Sequence, residues 1–254
     1  MTDENRTLIP EHIIKTIDTL HSRIEDRFGD RGLTRTCNDL KAIARDTARR
    51  AARLRRPYWG LRLLAYGIIA LGLYGLTQVI LLYGIEPSRE IDQIGPLNLA
   101  QGLEALVNLV LLCGIALLFV VGLESRFKRA RALAGLYQLR SVAHVIDMHQ
   151  LTKDPQGMLA NMAPTRFSPK RDLTSPQLMR YLDYCTEMLS LIAKLAALYA
   201  ENMRDSAVIA AVNDIETLTS SMTDKIFHKI RMIERDLASE SAVAARPLPV
   251  APVR

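Results

Sequence analysis

The chain has 254 residues, 49% of them hydrophobic and 24% charged, with a formal net charge of +6. Cys37, Cys113 and Cys185 lie far apart, without a CxxC pair or metal-ligand spacing, which argues against a disulfide framework and suits a reducing compartment. Scarce aromatics beside abundant Leu and Ala favour an all-α protein over a β-sandwich.

The first residues are polar and include Asp3 and Glu4, so no cleavable signal peptide is expected. Residues 1–57 read as N-terminal cytoplasmic amphipathic helices. Pro10 suits a first helical turn, and Ile13, Ile14, Ile17, Leu20, Ile24 and Phe28 recur at helical spacing. Gly29-Asp30 and Gly32 mark a turn, and a second helix follows with Leu33, Cys37, Leu40, Ile43, Ala44 and Ala48 on one face. Pro57 ends or kinks it.

Residues 58–124 read as a transmembrane hairpin with spans at about 61–83 and 102–123, each close to the roughly 20 residues a bilayer core requires. Residues 63–85 and 105–123 hold no Asp, Glu, Lys or Arg. Tyr58 and Trp59 at one end and Tyr83 at the other occupy positions where interfacial aromatics belong. The loop between the spans, GIEPSREIDQIGP, carries Glu86, Glu90 and Asp92 against Arg89. Basic residues gather outside: Arg53, Arg55, Arg56 and Arg62 before span one, Arg126, Lys128, Arg129 and Arg131 after span two. That asymmetry puts both termini in the cytoplasm. It also accounts for the excess of positive charge without nucleic acid, with Arg53, Arg55, Arg56, Lys128 and Arg129 as expected contacts to anionic headgroups.

Residues 125–154 are expected to continue span two as a cytoplasmic helix, and 155–174, with Pro155, Gly157, Pro164 and Pro169, to form a linker. Residues 175–240 read as a coiled-coil-like helical hairpin or part of a bundle. Ser175 is the expected N-cap with Pro176 in the first turn. Leu178, Leu182, Cys185, Leu189, Ile192, Ala196 and Tyr199 form one stripe, and Val208, Val212, Ile215, Thr219, Met222, Ile226, Ile233 and Leu237 another. Such stripes must be buried, and two helices alone often leave apolar surface for another chain. The Pro/Ala-rich segment 241–254 reads as a disordered tail.

The layout of residues 31–151, a cytoplasmic helix, a two-span hairpin and a following cytoplasmic helix, resembles the bacterial two-transmembrane SLATT-type proteins. That resemblance implies a membrane effector that perturbs the bilayer. The stretches LRSVAHVIDMHQLTKDP and RYLDYCTEMLSLIAKLAALYAE are similar to uncharacterised bacterial membrane proteins, which implies a bacterial inner membrane and no particular activity.

Candidate chemistry is sparse. His144, Asp147 and His149 lie close in sequence, but on a helix His149 points about 140° away from His144, unlike the i, i+4 pair of HExxH. A metal site there would need a further ligand such as His228 or Glu187. The segment FGDRG lacks Walker spacing, and no GxSxG elbow is present, so no cofactor and no enzymatic activity are expected. Within the spans, Thr77, Gln78 and Asn108 are the polar candidates, as interhelical hydrogen-bonding groups or as the lining of an oligomeric pore. Gly67, Gly72, Gly75 and Gly114 permit close helix approach. The reading that follows is a noncatalytic inner-membrane protein whose cytoplasmic helices mediate self-assembly, as a homo-oligomer, or docking of a protein partner. The alternative is an oligomeric channel or membrane-disrupting effector.

Overall fold

The computed structural model describes residues 8–83, 96–151, 153, 166 and 173–244. Every regular element among them is a helix: α1 Pro10–Phe28, α2 Gly32–Leu54, α3 Trp59–Tyr83, α4 Pro96–Leu151, α5 Ser175–Asn202 and α6 Ser206–Ala244. Most of the expected inter-span loop, most of the 155–174 linker and the tail beyond Ala244 lie outside the described residues. The chain divides into two compact units, Met1–Arg53 with Ala132–Arg254, and Leu54–Arg131.

The first unit holds a hydrophobic core. α1 starts with Pro10 at its head, where the missing N–H has no intrahelical role. It buries Ile13, Ile17, Leu20, Ile24 and Phe28 and ends at Gly29, whose φ of 64° is easily reached only without a Cβ. The Gly29 N–H bonds the Glu25 carbonyl at 2.8 Å, and the Thr34 hydroxyl donates to the Gly29 carbonyl at 2.6 Å, which fixes the turn into α2. α2 buries Leu33, Cys37, Leu40, Ala44, Thr47 and Ala51, alternating four and three residues apart. Ile43 and Ala48, expected on that face, are half-buried at its edge, and Thr47 takes the central position.

α5 is the most enclosed helix. Besides its expected stripe it buries Tyr181, Tyr184, Met188, Leu191, Leu195 and Leu198, so it is covered on several sides. α6 packs along it, and α1 packs on it through Phe28, edge-on to Tyr181 and Tyr184 at 5.7 and 6.2 Å. Arg23 bridges to Glu187 at 3.1 Å, and Lys41 of α2 to Asp18 of α1 at 2.7 Å. From α4 the stripe Ala132, Leu136, Leu139, Ala143, Ile146 and Gln150 turns inward. The stripes of α5 and α6 are therefore largely buried within the chain, leaving less apolar surface for another molecule than the sequence suggested. Helix ends also differ from expectation. The N-cap of α5 is Thr174, one residue before Ser175, because Gln177 reaches back to accept from the Thr174 N–H at 3.0 Å. Asp205 caps α6 by accepting from the N–H groups of Ala207 and Val208 at 3.0 and 3.3 Å.

The second unit has the opposite character. α3 and the N-terminal part of α4 are long and apolar enough to cross a membrane, and in their most apolar stretches 0% and 6% of residues are buried. A Cβ placed on Gly72 would lie 3.1 Å from Cys113 Sγ, and one on Gly75 would lie 2.9 Å from Leu109 Cδ2. The two glycines thus mark close approach of α3 to α4, and the contacts descend α4 as they ascend α3. Gly67 and Gly114 have no neighbour within 4 Å of an added Cβ, so they do not contribute to that approach.

Candidate functional site

The best-organised polar cluster of the second unit lies where α3 begins. Pro57 supplies no N–H and interrupts the helix, which leaves Tyr58 as the residue whose carbonyl accepts the first bond of α3, from the Arg62 N–H at 3.1 Å. The Tyr58 N–H donates to Glu124 Oε1 at 3.4 Å. Lys128, one turn beyond Glu124 on α4, holds the same oxygen at 2.8 Å. Arg131 donates to the Tyr58 hydroxyl, and its guanidinium lies 5.3 Å from the centre of the Tyr58 ring, with Lys128 Nζ at 5.9 Å. A carboxylate at a helix N-terminus is also favoured by the orphan N–H groups there. The Lys128 hydrogen bond, against a smaller opposing effect of burial, together with the Tyr58 N–H and the charges of Lys128 and Arg62, holds the Glu124 carboxyl below its ordinary range. Glu124 and Lys128 are each about four-fifths covered.

Around this cluster the flanking segments carry exposed Arg55, Arg56, Arg62, Arg126 and Arg129, and Arg53 is exposed just before them. The sequence marks Tyr58 as an interfacial aromatic and Glu124 as a span end, but not their pairing. The available signal is an acid at the edge of an apolar run followed by lysine four residues on.

The polar residues singled out within the apolar helices are not brought together by hydrogen bonds. The Thr77 hydroxyl donates to the Tyr74 carbonyl at 2.7 Å, within its own helix. Gln78 and Asn108 are both exposed, and no hydrogen bond joins them.

His144, Asp147 and His149 have separate surroundings. His144 is exposed. Asp147 accepts from the Gln150 side-chain amide, and the Gln150 side-chain oxygen accepts from Lys229 Nζ at 2.9 Å. That network joins α4 to α6 through a glutamine only 2% exposed, and sequence spacing gave no sign of it. The His149 ring lies where a Cβ on Gly32 would approach its Cε1 at 2.7 Å. Of the suggested further ligands, Glu187 pairs with Arg23 and His228 is exposed. Among the described residues no three His, Cys, Asp or Glu side chains are grouped as metal ligands. An open groove lined by Arg23, Asp26, Arg27, Arg180 and Tyr184 has two of its cations paired, Arg23 with Glu187 and Arg180 with Asp183. Burial pushes the thiols of Cys37 and Cys185 up to about 12, so both stay protonated and weakly nucleophilic at neutral pH.

Comparison with protein-family models, with curated proteins and with solved structures finds no match to this chain.

Proposed function

We propose that this chain is a noncatalytic bacterial inner-membrane protein. In this reading α3 and the first part of α4 form a hairpin across the bilayer. Both chain ends are cytoplasmic, and the first unit is a cytoplasmic helical bundle for self-assembly or partner docking. One observation carries it. Among the described residues, eighteen large hydrophobic side chains between Trp59 and Val121 are exposed, by 42–76%. At roughly 1.5–3 kcal/mol for each such side chain fully buried, covering them is worth tens of kcal/mol. That exceeds the 5–15 kcal/mol of a typical folded domain, so they require an apolar surrounding, and lipid supplies it. The opposed contacts at Gly72 and Gly75 support a hairpin, and the cluster of Tyr58, Glu124, Lys128 and Arg131 supports an interfacial foot among anionic headgroups.

Trp59 is the sole tryptophan and stands beside that foot, 68% exposed. On reconstitution its emission should shift to shorter wavelength, with strongest quenching by lipids labelled near the headgroup. Recovery of the chain in a detergent-free ultracentrifugation supernatant would sink the reading.

The alternative, an oligomeric channel or membrane-disrupting effector, is favoured by one feature. Gln78 and Asn108 expose amides on otherwise lipid-facing helices, where an unpartnered amide is costly and a second copy or a water-filled lumen would satisfy it. Liposome ion flux that Gln78→Leu with Asn108→Leu abolishes would support a pore; impermeable vesicles at high protein density would remove it.

A further inference from the structure

The side of α4 opposite its inward stripe is largely uncharged, exposed and spaced as a coiled-coil seam. Ala134, Tyr137, Ser141, His144, Met148 and Leu151 follow one another at three, four, three, four and three residues, and all six are exposed. Tyr137 is 65% exposed, Met148 67% and Leu151 61%. The inward face of this helix is already used by the core, so the seam is a second face, with Ala134, Tyr137, Met148 and Leu151 as its apolar positions. Strict three-four alternation is what knobs-into-holes packing needs.

We propose that this face is the seam of a parallel homodimer, α4 of one copy against α4 of a second. The proposal rests on the membrane reading above and narrows its self-assembly to one surface. α4 runs without a break from Pro96 through the seam to Leu151, so every copy in one bilayer has its seam tethered to the same plane. A soluble partner has no such constraint; a second copy meets it automatically. In the parallel register each seam residue faces its own counterpart: small Ala134 and Ser141 alternate with large Tyr137 and His144, and Met148 and Leu151 follow. The flanking positions bring Leu133 towards Gln138 and Arg140 towards Val145 of the other copy, so no like charges oppose there. A seam about 26 Å long would cover on the order of 1,000 Å² in all, the lower bound of a specific interface. That is marginal in solution, and confinement to a plane raises the effective concentration.

The test uses the full chain in liposomes with Cys113→Ala to remove the least buried native thiol. Ser141→Cys should give a crosslinked dimer under mild oxidation about tenfold faster than Asn213→Cys, an exposed position on α6. Adding Tyr137→Glu and Met148→Glu should lower the Ser141→Cys rate by about as much, with helical content unchanged. Equal crosslinking at positions 141 and 213 overturns the seam, and single-molecule bleaching then separates the causes. Dimers in the bilayer with no 141 crosslink mean self-assembly through another face. Monomers remove self-assembly as well, and failure to reconstitute removes the membrane reading itself.

Discussion

Gly135 of α4 is the position where a single methyl group should do the most damage. A Cβ built there would lie 2.0 Å from the Tyr199 hydroxyl, 2.6 Å from its Cζ and 3.3 Å from Cε2. Tyr199 is 0% exposed, so its ring has no open space into which to swing. Two effects compete in Gly135→Ala. Helix propensity favours alanine by about 1 kcal/mol. Overpacking a closed core costs about 1–3 kcal/mol, and contacts this short belong at or above the upper end. The clash wins, and the variant should be destabilised by about 2 kcal/mol or more net. Proteolytic resistance of the detergent-solubilised chain, read as the urea midpoint of cleavage, measures the loss. Gly122→Ala, whose added Cβ has no neighbour within 4 Å, is the control and should be neutral or slightly stabilising. The Tyr199 hydroxyl is buried without a well-formed hydrogen bond, so Tyr199→Phe should cost little by itself and restore part of the stability lost in Gly135→Ala. A Gly135→Ala chain as stable as its parent would refute this account of the α4–α5 contact.

Three further outcomes are expected. Because the folded Glu124 carboxyl sits below its ordinary range, its stabilisation is complete above the ordinary carboxylate range and is lost as pH falls through the lowered folded value; Lys128→Met should move the acid-induced change in Trp59 emission to higher pH. Cys37 and Cys185, buried with raised thiols, should resist maleimide in the native chain and react fully in denaturant, as read by mass spectrometry. Lys229→Met leaves the Gln150 side-chain oxygen without its donor in a closed site and should lower the unfolding midpoint by an amount equivalent to about 1–3 kcal/mol, whereas Lys225→Met, at an exposed position on the same helix, should be neutral.

The helices of this chain are written in its sequence as periodicity. Leu33, Cys37, Leu40 and Ala44 mark the buried side of α2, and the two uncharged runs mark the apolar helices, because both signals are repeated many times within a local window. Pairing between distant elements is written far more faintly. Nothing local to Gln150 announces Lys229, and nothing near Tyr58 announces Glu124, since each contact is a single event between segments tens of residues apart. The α4 stripes show the same limit. Periodicity finds apolar positions on both sides of that helix, but only packing against α5 and its neighbours decides which side is inside. Thr174 displaces Ser175 as the cap for a smaller reason: both can cap a helix, and Gln177 is three residues from Thr174.

The enclosure of α5 has a consequence for how the molecule is made. Its bonds to the first segments join residues 164 and 193 positions apart, Arg23 with Glu187 and Leu8 with Glu201. During synthesis α1 and α2 leave the ribosome with greasy flanks that stay bare until α5 arrives much later. In the interval those flanks need temporary shelter, from a chaperone or from the bilayer surface itself. A ribosome stalled before residue 175 would therefore hold a nascent chain whose N-terminal helices are open to protease and that closes only once synthesis resumes.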